Sequence, residues 1–141
     1  MLTPNETRLA KLLALHEGRI AHAYQDSLGY WTIGVGHLID RRKGGKLPEH
    51  IVDALFEYDL RKHEDGLVVH SPWITQLDVV RRAVLTDMAF NMGTAFLGKW
   101  PNFVKQIKAG DYASAAANMR GSKWAGQVKG RAERLAKMME S

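Results

Sequence analysis

Glu17-Gly18-Arg19-Ile20-Ala21-His22-Ala23-Tyr24-Gln25-Asp26-Ser27-Leu28-Gly29-Tyr30-Trp31-Thr32-Ile33-Gly34-Val35-Gly36-His37 is the stretch in which the chain changes its period. Before it, Leu9, Leu12, Leu13 and His16 repeat at helical spacing, as one buried face would require. Thr3 is placed to cap that helix, with Pro4 at its first position and Glu6 completing a capping box. Gly18 is a suitable residue for leaving it, so the spacing predicts a helix ending at Glu17. Asp26-Ser27-Leu28-Gly29 is a turn-forming set, and the aromatic and β-branched run from Tyr30 to His37 favours a strand. Gly34 and Gly36 fall on the same face of that strand as Thr32, which leaves the face bare for a ligand to approach.

Downstream the pattern is helical. Pro48 suits a helix start, and Ile51, Leu55, Tyr58 and Lys62 form its expected stripe until Ser71-Pro72 interrupts it. Val80, Val84, Leu85, Met88, Ala89 and Met92 mark a second helix that closes at Gly93. Short helices are expected from Trp100-Pro101 to Ile107 and from Gly110-Asp111 to Met119, with a last one over Arg131 to Met139. The fold class is therefore α+β: one helix, a small β-hairpin lobe, and a larger helical lobe reached through a long helix. A single domain is expected over 1–141, with the β-containing lobe at about 18–47.

The chain has 141 residues, no cysteine, 45% hydrophobic and 25% charged residues, and a net charge of +5. That composition excludes a disulfide scaffold, a thiol nucleophile and a thiolate metal site. Its six histidines show no zinc-binding spacing, so neither a metal nor a cofactor is expected. The basic charge is concentrated after residue 98, which suggests weak contact of that half with an anionic wall or membrane. Trp100, Trp124, Met88 and Met92 read as core.

Glycosidic cleavage needs an acid for the leaving oxygen and a second carboxylate that activates water or attacks the sugar. Glu17 sits at a predicted helix C-terminus, where the dipole's negative end disfavours a second negative charge. Asp26 lies in a polar turn among amides and hydroxyls. Two carboxylates in unlike settings suit divided roles. Singly, a Glu at a helix end is usually solvated surface, an Asp before Ser-Leu-Gly a turn former, and a Thr on a strand a good β residue.

Taken together, these residues resemble the catalytic segment of the T-even phage lysozyme family, glycoside hydrolase family 24. The Glu17-x8-Asp26-x5-Thr32 spacing and the terminal Gly34-Val35-Gly36-His37 carry the resemblance. A second block, Leu77 to Gly93, is similar to that family's central core helix, and Ala115 to Asn118 with Ser122-Lys123-Trp124 and Arg131-Ala132 to its C-terminal region. The resemblance implies a peptidoglycan hydrolase cutting between N-acetylmuramic acid and N-acetylglucosamine with inversion. Glu17 would be the general acid, and Asp26, helped by Thr32, would activate the water. Leu38, Phe90 and Asn118 would line the saccharide cleft, Arg131 would pair with Glu17, and His37 with Asp59.

Several positions depart from the family pattern. Asn91 stands in place of a glutamine and is one methylene shorter, which bears on a hydrogen bond to substrate or to Trp124. Phe103 stands where a small polar contact is usual, so saccharide contact there is expected either to become stacking or to be lost. The loop from Asp40 to Lys46 is short, suggesting a more open cleft. The expected partner is bacterial peptidoglycan and not nucleic acid, and the expected state is a monomer. Met1 to Arg8 lacks a secretory pattern, so accumulation in the host cytoplasm and release through a lesion made by another protein are expected. The competing readings are a lytic transglycosylase and a non-enzymatic basic module that binds membrane or nucleic acid through its C-terminal helix.

Overall fold

The computed structural model describes residues 1–40 and 46–141. Residues 41–45 of the short loop weighed above lie outside the described residues. The chain forms two compact units, Met1–Asp53 and Ala54–Ser141.

The first unit begins with helix α1, Pro4–Glu17. Thr3 caps it: its side chain accepts the Glu6 N–H while the Glu6 carboxylate accepts the Thr3 N–H at 2.7 Å, closing the capping box. Such a cap typically stabilises a helix by about 1 kcal/mol. Gly18 leaves the helix at φ +78°, where a side chain would be strained, and its N–H satisfies the Ala14 carbonyl at 3.1 Å. Both ends thus fall where the residues place them. The apolar stripe does not behave as spacing suggests, since Leu9, Leu12 and Leu13 stay 44–55% exposed.

That sheet has three antiparallel strands in chain order, β1 (Ile20–Gln25), β2 (Trp31–Gly34) and β3 (His37–Asp40). The run expected as one strand from Tyr30 to His37 is broken: β2 ends at Gly34, Val35 and Gly36 turn, and His37 begins β3. Gly34 and Gly36 explain the break, because their φ values of +72° and +63° are turn conformations rather than extended ones. Gly34 thus ends β2 and Gly36 lies in the turn that follows. The register pairs Tyr24 with Thr32 and Thr32 with Leu38, so these three side chains share one face.

Helix α2, Glu49–His70, starts in the first unit and continues into the second. Its expected stripe is rotated: Ile51, Leu55 and Tyr58 are exposed, whereas Leu60 and His63 are half-buried and Leu67 fully buried. The His63 ring stacks on Phe90 with centroids 4.1 Å apart, and Phe56 lies 6.4 Å from the same ring. Helix α3, Val79–Met92, is capped by Asp78 and buries Val84, Leu85, Met88 and Ala89. Helices α4 (Pro101–Lys108), α5 (Tyr112–Arg120), α6 (Lys123–Val128) and α7 (Gly130–Glu140) complete the second unit. Their core includes Phe103, Ile107, Met119, Trp124, Leu135 and Met139. The lysozyme-like α+β class holds, and spacing did not foresee α6 or the short 3-10 turns Pro72–Gln76 and Phe96–Lys99.

Across this core runs Arg81, which is 9% exposed. Its Nε donates to the Met139 carbonyl at 3.0 Å and its Nη2 to the Ser141 carbonyl, tying α3 to the end of α7. The guanidinium also sits 4.1 Å from the Tyr112 ring centroid. On the outer face, Arg120 bridges Glu133 at 2.9 Å and Glu140 at 2.6 Å, clamping α5 to α7.

Candidate active site

In the first unit, Glu17, Asp26, Thr32 and Leu38 line one cavity of about 460 Å³, together with Tyr24, Leu28, Tyr30 and Gly36. Glu17 is the last residue of α1 and is exposed. Asp26 is held by its own turn: its Oδ1 accepts the N–H of Leu28 and of Tyr30, each at 2.9 Å. The Gly29 N–H and the Asp26 carbonyl close the same turn at 2.9 Å. A carboxylate held by two backbone donors has a fixed direction, which a solvated surface Asp would lack.

Thr32 is 4% exposed, and its hydroxyl donates to the Tyr30 carbonyl at 3.2 Å. It stands between Tyr24 and Leu38 in the register, so β1, β2 and β3 each contribute one wall residue. Tyr24, Leu28 and Tyr30 were not singled out from sequence. Alternation from Thr32 across the hairpin would have found Tyr24.

Gly36 meets α1 directly. A Cβ built there would lie 3.1 Å from Glu17 Oε2 and 3.2 Å from Glu17 Cδ. The close approach expected at this glycine is thus made by a carboxylate of the same unit.

Phe90, Phe103, Asn118, Arg131 and Asp59 belong to the second unit and sit in different places. Phe90 lines an apolar cavity of about 360 Å³ with Phe56, Leu60 and Arg131. Arg131 has a carboxylate there already: its Nε donates to Asp87 Oδ1 at 2.7 Å and its Nη2 to the Asp87 carbonyl at 3.1 Å. Nothing in the sequence signals that pair, since 44 positions separate its members. Arg131 and Glu17 lie in different units, as do His37 and Asp59, and those two pairings remain expectations of the resemblance.

Asn118 lines a separate cavity of about 410 Å³ with Trp100 and Trp124, and its Nδ2 donates to Gln106 Oε1 at 3.2 Å. Phe103 borders the same cavity but is fully buried, with its ring edge-on to Trp100 at 5.3 Å. A ring so enclosed is part of the core, and the stacking contact expected of it has no exposed face to use. Asn91, although one methylene shorter than the family's glutamine, reaches Trp124: the indole Nε1 donates to its Oδ1 at 2.8 Å. Among the described residues, no group of three or more His, Asp or Glu is placed to hold a metal ion.

A family model described as phage lysozyme matches residues 14–138, nearly the whole chain. A probable T4-type lysozyme from Dictyostelium discoideum is 30% identical over 92% of this chain and 92% of its own length. The pre-baseplate central spike protein Gp5 of Enterobacteria phage T4 is also 30% identical, over 90% of this chain. The chain spans about a quarter of that spike protein's length. An endolysin of Acyrthosiphon pisum secondary endosymbiont phage 1 is 27% identical over 80% of this chain. The chain belongs to the phage lysozyme family, and is thereby a lysozyme-type glycosidase acting on peptidoglycan.

Proposed function

We propose that this protein is an inverting muramidase that cuts the β-1,4 bond between N-acetylmuramic acid and N-acetylglucosamine. The observation that carries the reading is the shared cavity: Glu17 from a helix end and the turn-held Asp26 face one space beside Thr32. Glu17 gives its carboxyl proton to the leaving glycosidic oxygen as the bond from that oxygen to C1 breaks. A water on the opposite face of the ring attacks C1 and loses a proton to Asp26, so the new hydroxyl at C1 is α. One water is consumed, and proton exchange with solvent restores both carboxyls. Inversion needs the two carboxyls roughly 6.5–9.5 Å apart, with room for the water between them. In this reading Thr32 helps position that water, and Leu38, Phe90 and Asn118 contact the saccharide.

The likeness to a phage endolysin supports a role in host cell lysis. On this reading the protein accumulates in the host cytoplasm and reaches the wall through a lesion made by another protein. It works as a monomer without a cofactor.

Mass spectrometry of digested peptidoglycan tests the reaction. Reducing muramic ends are expected, and anhydromuramic ends would mean a transglycosylase. Glu17→Gln should abolish turbidity loss on outer-membrane-permeabilised cells while the fold survives. Wild-type clearing by that variant would place the lytic activity elsewhere, in the basic C-terminal half for example.

A further inference from the structure

Among the positive-φ glycines of the first unit, Gly34 and Gly36 form a matched pair. Gly34 ends β2, paired with Ile20 of β1, and Gly36 lies in the turn that follows; both have φ in the left-handed region, at +72° and +63°. An L side chain at either would meet similar backbone strain. They differ in what a Cβ would touch. At Gly34 no atom lies within 4 Å, whereas at Gly36 the Glu17 carboxylate lies at 3.1 Å (Oε2) and 3.2 Å (Cδ), with Cγ at 3.4 Å. Three successive atoms of one side chain therefore rest against the bare face of one glycine.

We propose that Gly36 is a positioning residue for Glu17, its missing Cβ being the seat in which the carboxylate is held. The proposal rests on the reading of Glu17 as the acid. A glutamate at an exposed helix end samples several rotamers unless something limits it. Here the bare face of Gly36 lies along Cγ, Cδ and Oε2 of that side chain, in the space a Cβ would otherwise take. The turn conformation also requires glycine at 36, so a single residue serves both the fold-back of β3 and the placement of the acid. A methyl at 36 would push the carboxylate away by a few tenths of an ångström at least. Misplacement by 1 Å costs on the order of 10²-fold in rate, so a loss of about tenfold is expected from this push.

Gly34→Ala supplies the strain-matched control. Gly36→Ala, Gly34→Ala, Glu17→Asp and the double variant Gly36→Ala/Glu17→Asp are assayed for kcat and KM on a soluble peptidoglycan oligosaccharide. Relative to Gly34→Ala, Gly36→Ala is expected to lose about tenfold more in kcat, with KM within about twofold. Glu17→Asp, which withdraws the carboxyl by one methylene, should cost less in the Gly36→Ala background than in the wild type. Equal losses in the two alanine variants, a loss carried by KM, or additive effects in the cycle would each overturn the proposal. Full turnover by Glu17→Gln would instead overturn the acid reading itself, so the two failures are distinguishable.

If Gly36→Ala is too unstable to assay, melting temperatures decide. Its extra loss relative to Gly34→Ala should be present with Glu17 and absent in a Glu17→Ala background. Persistence of that extra loss without the carboxylate would refute the seat.

Discussion

Asn91→Ala tests whether the short side chain at this position supports the helical core. In the wild type the Trp124 indole N–H donates to Asn91 Oδ1 at 2.8 Å, and Trp124 is only 4% exposed. Truncation removes the acceptor without removing the donor. A buried donor left without a partner costs about 1–3 kcal/mol, more than the roughly 1 kcal/mol net value of an average hydrogen bond. The packing loss at position 91 itself is small, because Asn91 is exposed. For a chain of 141 residues, 1 kcal/mol corresponds to roughly 3–4 °C in melting temperature, so Asn91→Ala should lower it by about 3–12 °C. Asn91→Gln is the control, since it retains a carbonyl acceptor one methylene further out. Thermal unfolding followed by tryptophan fluorescence reads both the shift and the indole's surroundings. A shift below about 1 °C, with unchanged emission, would mean that solvent already serves the indole and that the bond contributes nothing.

The remaining predictions concern the helical unit. Arg120 holds the carboxyls of both Glu133 and Glu140 below their ordinary values by direct hydrogen bonds. Carboxyls depressed by folding contribute stability above their unfolded values and lose it as the pH falls through the folded ones. Arg120→Ala should therefore lower the urea midpoint at neutral pH, and the gap to wild type should close well below the ordinary carboxylate range. A gap independent of pH would count against the clamp. Gly66→Ala would put a Cβ 2.8 Å from Thr94 Cγ2, and overpacking of this kind costs about 1–3 kcal/mol, more than the roughly 1 kcal/mol gained from helix propensity. Thr94→Ala should restore stability in that background, and an unaltered denaturation midpoint in Gly66→Ala alone would refute the contact. Lys129 is the one non-glycine residue with positive φ among those described, at φ +49° and ψ −115°. Relief of such strain should let Lys129→Gly gain about 1 kcal/mol, read as a higher melting temperature, and a lower one would show the conformation to be unstrained.

Much of this is local, and local features were legible. The capping box at Thr3 and Glu6, the exit at Gly18 and the cap at Asp78 each depend on residues within three or four positions of one another. The turn at Asp26 is of the same kind, since an aspartate can bond the N–H two residues on whatever the rest of the chain does. The stripe of α3 was readable because that helix buries it in the core of the second unit. In α2 the buried face is rotated from the one that Ile51, Leu55 and Tyr58 suggested, because spacing alone does not tell which side meets Phe90.

From the sequence alone came the class of fold, the family, and the two carboxylates with Thr32 around one turn, because capping, turn chemistry and spacing are short-range. Tertiary structure alone decided which groups meet. Arg131 binds Asp87, Phe103 is enclosed, Asn91 reaches Trp124, and Gly36 faces the Glu17 carboxylate as well as the cavity. Each of these depends on where a second element lies in space, and neither propensity nor period carries that information. Glycine shows the division most clearly. Its type announces a special position, but only the packed neighbour tells whether the need is for a turn, for room, or for both.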